Sequence, residues 1–271
     1  YMKYSVDDIE ILVSTMNQKS LAFLFKMFPN ETWKRISILI VNQTRTDQLV
    51  SNYHNIKIIN SREIGLSNSR NVALKNASKE ILLIADDDIV YKENFIESIL
   101  EGFNSVSADV ICFQYEIYGK PAKNYLSRIS NDVNWLRLLN TSSVEVALKK
   151  ELVYNTFYFD DKFGKNAPFL MGEEIVFLSD LKNNKYKIGY FPQLILSHNH
   201  LTTGFKTPIE QIYYSSGAIF YRIFEKKYLL WILIKLFFDL KQKKVKITDT
   251  VRLFKKSIGG KKAFIKMLNR K

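Results

Sequence analysis

Residues 79–91 read KEILLIADDDIVY, an apolar run of strand length that stops at three consecutive aspartates, Asp86, Asp87 and Asp88. Carboxylates this close repel one another and are costly to hold together unless water or a cation solvates them. Alternation along an extended chain puts Asp86 and Asp88 on one face and Asp87 on the other. In open α/β sheets, ligands bind at the carboxyl ends of buried strands, so the stretch predicts a divalent-cation site that holds a phosphorylated ligand. For the triplet alone, the plainer alternative is an acidic turn capping the helix that KENFIESIL suggests.

Outward from that strand, apolar runs alternate with helix-like spacers. EILVST (10–15), ISILIV (36–41), IKIIN (56–60), EILLIA (80–85) and DVICFQYEI (109–117) read as strands, while SLAFLFKMF, TDQLVSNYH, LSNSRNVALKNA and NFIESILEGF have helical length and periodicity. This order predicts an α/β fold with a mostly parallel, right-handed, doubly wound sheet. A second part follows: VEVALKKELV, the loop FDDKFGKNAPFLMG, a helix from Glu173 to Asn183, the strand YKIGYF before Pro192, and then QLILS. Tyr118 to Thr141 shows no clear period and reads as a functional loop or inserted subdomain.

At 271 residues the chain can bury one large α/β core with an appendage, or two small domains. Cys112 is the only cysteine, which excludes disulfides within the chain and cysteine-based zinc sites. Lys3, Asp7, Asp8 and Glu10 precede any apolar run, unlike a secretory leader, so a cytoplasmic location is expected. The net charge of +13 resides entirely in residues 219–271, where sixteen Lys and Arg face three acids. Within that tail, YLLWILIKLFFDL (228–240) is intensely apolar but only thirteen residues long, with Lys235 inside it. A bilayer-spanning helix needs roughly 20 apolar residues, so this segment is not expected to cross; further on, Val251, Phe254 and Ile258, then Phe264, Met267 and Leu268, recur at helical spacing among lysines, and such a helix can lie on an anionic membrane surface. The alternative is that Leu229 to Leu240 docks on the core and the lysines are merely solvated. No nucleic-acid recognition module accompanies the charge, and nucleic acid is not expected as a partner.

Four further features share the carboxyl edge or its neighbourhood. Ser14, Thr15, Met16 and Asn17 end the first strand. In GLSNSRN (65–71), Ser67 could cap a helix and Arg70, one turn in, could reach a phosphate at its N-terminus. Gly172-Glu173-Glu174 opens a helix; the dipole alone favours acids there, yet two carboxylates beside the apolar run PFLM also suit general-base work. Ser197-His198-Asn199-His200 aims two imidazoles to one side, a common ligand type for Mn²⁺-like ions alongside carboxylate.

In this order the motifs resemble the family 2 glycosyltransferases of GT-A (Rossmann-like) fold, especially bacterial enzymes that build capsular or other surface polysaccharides. The resemblance covers residues 9 to about 204 and implies a catalytic domain over 1–205, with a basic, amphipathic helical extension over 206–271. It implies an inverting, Mn²⁺- or Mg²⁺-dependent transfer from a nucleotide-diphosphate sugar, a UDP-sugar by family habit, to a saccharide or polyprenyl-linked acceptor. By the same resemblance Thr15, Asn17 and Arg70 contact the sugar nucleotide, Asp86 and Asp87 lie on the nucleotide side, and Asp88 with His198 holds the metal. Glu174 stands at the base position with Glu173 beside it, a glutamate where the family carries aspartate. Asn42-Gln43 occupies the place of the acid that holds the nucleobase in many members, leaving Gln43 as the base-side candidate. The expected location is the inner face of the cell membrane, held peripherally. Two competitors fit less of the chain: a sugar nucleotidyltransferase, whose Gly-rich basic loop is lacking in TMNQKS, and a non-enzymatic membrane-surface module, which leaves the Glu pair and the histidines without purpose.

Overall fold

The computed structural model describes residues 4–46, 48–119, 125–154, 156–198 and 207–269. Among these residues eight strands, β1 (Ile9–Met16), β2 (Ser37–Gln43), β3 (Ile56–Ser61), β4 (Ile81–Asp86), β5 (Ile89–Tyr91), β6 (Val110–Ile117), β7 (Val146–Lys149) and β8 (Ile188–His198), form one sheet in the order β3-β2-β1-β4-β7-β6-β8-β5. Only β7 and the edge strand β5 run against the other strands. The helices are α1 (Ala22–Met27), α2 (Leu66–Asn76), α3 (Phe95–Ser105), α4 (Trp135–Leu138), α5 (Glu151–Tyr154), α6 (Glu173–Asn183), α7 (Ile209–Phe224), α8 (Tyr228–Lys241) and α9 (Thr250–Leu268).

The period of two sorts each strand onto two layers. Ile9, Ile11 and Val13 of β1 join Phe23 and Leu24 of α1 and Phe95 and Ile99 of α3 in one core, while Leu12 joins Leu74 of α2 and Phe177 and Leu181 of α6 in the other. Both faces are covered, which is why the central strands read as unbroken apolar runs. Register then sets the edge: Ser14 lies level with Asp86, and Thr15 and Met16 with Asn42 and Gln43. The carboxyl ends of β1, β2 and β4 therefore open on one cleft.

Two local expectations change, and one segment left open is settled. TDQLVSNYH forms no helix among its described residues. The Asn60 side chain accepts from the Leu49 N–H (2.9 Å) and donates to the Leu49 carbonyl (2.9 Å), capturing the backbone groups a helix would need. YKIGYF and QLILS are one strand, β8, which passes through Pro192 where its pairing to β6 shifts register, the kind of irregularity that tolerates proline. VEVALKKELV supplies β7, an antiparallel strand inserted between β4 and β6.

Beyond Thr207 the chain is helical, as expected. Tyr213, Ile219, Ile232, Leu253 and Phe264 form a third core together with Phe163 and Phe169 of the 159–172 loop and Val176 of α6. Arg222 of α7 bridges to Asp180 of α6 (2.8 Å). A Cβ at Gly217 would sit 1.8 Å from the Ser257 carbonyl oxygen, so α7 and α9 cross at backbone contact. No described helix is long and apolar enough to cross a membrane.

Candidate active site

The cleft at the carboxyl edge has a volume of about 680 Å³ and is lined by Ser14, Thr15, Gln43, Arg70, Asp86, Asp87, Asp88, Glu173, Glu174 and His198, among others. Nine of the ten residues expected at a site thus face one cavity. Asn17 is the exception: it is exposed with a left-handed backbone (φ 54°), and its N–H is bonded to the Gln43 carbonyl (3.0 Å) instead. His200 lies outside the described residues.

All three aspartates enter the cleft, which corrects the assignment of Asp87 to the opposite face. β4 ends at Asp86 and the chain turns through Asp87 and Asp88 into β5, so strict alternation no longer applies. Asp87 accepts hydrogen bonds from Thr15 Oγ1 and from Gln18 Nε2 (2.9 Å). β5 pairs antiparallel with β8 so that Ile89 lies opposite His198, and this register delivers the imidazole to the aspartates. His198 Nε2 is 3.4 Å from Asp88 Oδ1, and the ligand atoms of Asp86, Asp88 and His198 all lie within 4.8 Å of one another. A mixed carboxylate–imidazole set of this size fits an Mn²⁺- or Mg²⁺-type ion. Burial, together with repulsion from Asp86 and Asp87, raises the Asp88 carboxyl above its ordinary value despite the opposing pull of His198. A cation would relieve that repulsion.

Arg70 does not stand free to meet a phosphate at the start of α2. It is 2% exposed, and its guanidinium donates to Asp86 (3.1 Å), Glu173 (2.9 Å) and Ser143 Oγ (2.8 Å). Burial opposes its charge, and Asp86 and Glu173 outweigh burial, so Arg70 stays protonated. One buried cation therefore ties the end of β4 to the start of α6. Ser67 is no cap: its hydroxyl donates to the Phe163 carbonyl (2.6 Å) and pins the 159–172 loop against α2.

Glu173 and Glu174 occupy the first turn of α6 behind Gly172. Gly172 has φ 93°, and a Cβ there would lie 2.3 Å from Ile219 Cδ1 of α7, so glycine is demanded twice over. The two carboxylates diverge in character. Glu173 is buried on Arg70, whereas Glu174 faces the cleft half-buried, its carboxyl pushed well above the ordinary range by burial and then by Glu173. Two neighbouring acids so differently placed suit one structural and one proton-transferring role. Tyr115 also lines the cleft; burial raises its pKa, and its hydroxyl shares a hydrogen bond with Ser142 (3.1 Å).

Sequence reasoning missed Gln18, Tyr115 and Ser143. Gln18 is one residue beyond the expected Asn17 and carries the same amide chemistry. Ser143 sits in the turn before the inserted β7, and no local signal aims it at Arg70. Of the two segments expected to shape the cleft, 157–171 supplies Lys165, Asn166, Leu170 and Met171, whereas no described residue of 118–141 lines it.

An open α/β sheet with β7 and β5 antiparallel, an Asp-Asp-His group at its carboxyl edge and a Glu pair opening the facing helix defines a GT-A-like glycosyltransferase fold. Residues 10–179 match the family model for glycosyl transferase family 2, and the chain belongs to that family. The solved structure of S. aureus TarS residues 1–349 is similar at 18% identity and a TM-score of 0.56, over 80% of this chain and 65% of that one. The same TarS fragment in complex with UDP aligns at 19% identity and a TM-score of 0.58. Its complex with UDP-GlcNAc aligns at 18% identity and a TM-score of 0.58. The chain thus spans just under two thirds of these fragments, and 40% of the chain in a further S. aureus TarS structure. No curated protein sequence matches it.

Proposed function

We propose that the protein is an inverting, metal-dependent glycosyltransferase that moves a sugar from a nucleotide-diphosphate donor, a UDP-sugar, to a saccharide acceptor. The carrying observation is the charge of the cleft. Asp86, Asp87, Asp88, Glu173 and Glu174 line it against two basic residues, Arg70 and Lys165, and Arg70 is already paired with Asp86 and Glu173. A diphosphate cannot enter such a site without a cation, and the Asp86, Asp88 and His198 atoms are the donors assembled to hold one. Mn²⁺ or Mg²⁺ held there would neutralise the diphosphate and make it a better leaving group. UDP and UDP-GlcNAc bound to TarS, a structure of the same fold, support a nucleotide-sugar donor.

In this reading Glu174 removes the proton from an acceptor hydroxyl as that oxygen attacks the anomeric carbon opposite the leaving diphosphate, so the anomeric configuration inverts. Glu173 is paired with Arg70 and keeps α6 oriented toward the donor side, and its proximity adds to burial in raising Glu174. Thr15 and Gln18 hold Asp87 in place. Gln43, whose side-chain oxygen accepts from the Gly65 N–H (2.7 Å), lines the nucleotide end. Residues 1–205 form the catalytic domain, and residues 206–271 a basic extension that presents it to the inner face of the cell membrane. The acceptor is a polyprenyl-linked saccharide in the assembly of a bacterial surface polysaccharide such as capsule.

Two outcomes are expected. Mn²⁺ together with a UDP-sugar raises the melting temperature more than either alone, and Asp88→Asn loses that synergy while melting at or above the wild-type temperature in their absence; equal synergy in Asp88→Asn contradicts the metal assignment. Transfer also requires ionised Glu174, so activity falls as pH drops through its raised pKa. At saturating metal the acid limb of kcat/KM therefore lies above the ordinary carboxylate range, and it moves to lower pH in Glu173→Gln, where the repelling charge is gone.

A further inference from the structure

α8 buries Tyr228, Ile232, Leu236 and Asp239 against the third core, and the opposite face of this helix is turned outward. That face carries Leu229, Leu230, Leu233 and Phe237, with Leu230, Leu233 and Phe237 exposed by 56%, 54% and 62%. From Leu229 to Phe237 the ridge extends roughly 12 Å along the helix. Single exposed apolar residues are ordinary on a soluble surface, but a contiguous ridge on one helix face marks a contact surface. No carboxylate belongs to it. Asp239, the only acid of the helix, is buried and accepts from Tyr213 Oη (2.7 Å) and Lys235 Nζ (2.9 Å). Exposed lysines bracket the ridge, Lys226 and Lys227 before it and Lys241, Lys243 and Lys244 after it.

The brackets choose the occupant. A second copy packed on the same face, parallel or antiparallel, would bring lysine cluster against lysine cluster at both ends. An anionic lipid surface answers both features at once, taking the leucines and phenylalanine into the acyl boundary and the lysines onto headgroup phosphates. We propose that the outward face of α8 is the bilayer-docking surface of this protein, with Leu230, Leu233 and Phe237 as the inserted residues. This deepens the membrane-surface part of the function proposed above, and it stands or falls independently of the catalytic chemistry. Substitutions on the outward face leave the third core intact, where Ile219 and Phe264 pack with Phe163 and Phe169 and Ile219 lies against Gly172 beside the cleft.

The test is co-sedimentation of the full chain with phosphatidylcholine vesicles, with and without roughly 30 mole per cent phosphatidylglycerol. Binding is expected on the anionic vesicles and weakens as salt is raised. The triple variant Leu230→Asn/Leu233→Asn/Phe237→Asn, altered only at exposed positions, keeps the wild-type circular dichroism and loses about tenfold or more in partitioning. A second variant, Lys241→Glu/Lys243→Glu/Lys244→Glu, keeps the ridge and loses the preference for anionic lipid. Wild-type protein left in the supernatant with both vesicle types overturns the proposal. So does wild-type binding by both variants, or a dimer in sedimentation velocity that the triple variant abolishes. Hydrolysis of the nucleotide sugar, followed in the same samples, reads the catalytic proposal separately and is expected unchanged in both variants.

Discussion

Glu174→Gln removes sugar transfer, lowering kcat by roughly 10²–10⁴-fold while the affinity for the nucleotide-sugar donor stays close to wild type. The side chain keeps its shape and loses only the ability to take a proton, so a base role and a binding role separate cleanly in kinetics and titration calorimetry. Stability sharpens the same experiment. The folded protein holds the Glu174 carboxyl well above its unfolded value, through burial and then the charge of Glu173. Between the ordinary and the raised pKa the native state binds more protons than the unfolded state, so this group makes stability fall as pH rises through that window. Glu174→Gln lifts that penalty. At neutral pH the variant is expected to melt at or above the wild-type temperature, and the difference disappears below the ordinary carboxylate range. A less active but more stable variant is the mark of a group kept for chemistry rather than for the fold. Full transfer activity would remove Glu174 from the mechanism.

Arg70→Met acts on fold and site together. Arg70 is 2% exposed and satisfies Asp86, Glu173 and Ser143 at once, so a neutral replacement leaves carboxylates buried without their counter-charge. Breaking a buried pair by removing one partner costs about 3–5 kcal/mol, which corresponds to a fall of about 10 °C in melting temperature for a chain of this size. Calorimetry of Arg70→Met and Arg70→Lys checks this. The lysine variant should recover part of the stability, because it restores charge but reaches fewer of the three acceptors. Activity should fall in both, since the aspartate end of β4 and the glutamate turn of α6 lose their common tie. A melting temperature for Arg70→Met equal to wild type would show that the acids do not depend on it.

The elements that could be read from sequence were those whose signal is local. β1, β2 and β4 are buried on both faces and carry unbroken apolar runs, and α6 begins where Gly172 and two acids say it should. The sequential order of Thr15, Arg70, the aspartates, the Glu pair and His198 sufficed to bring those residues to one edge, because parallel strands deliver their ends to the same side. What could not be read depends on partners distant in sequence. Asn60 captures the backbone of Leu49 and removes a helix that periodicity suggests. β7 inserts antiparallel where its short run carries no directional signal. Arg70 turns from a candidate phosphate ligand into a buried tie, a distinction set by Asp86, Glu173 and Ser143, the last 73 residues further along the chain. The outward face of α8 is equally invisible to composition, which counts its leucines without saying that Ile232 and Leu236 are inside and Leu233 and Phe237 outside.

Phosphorus NMR of the nucleotide product formed from a UDP-sugar with Mn²⁺ reports which bond of the donor breaks. Sugar transfer yields nucleoside diphosphate, formed by the wild-type protein and reduced to background by Glu174→Gln. Formation of UTP and sugar 1-phosphate on addition of pyrophosphate would assign the site to nucleotidyl transfer instead, and nucleoside diphosphate formed equally by both proteins would contradict the assignment of Glu174 as the base.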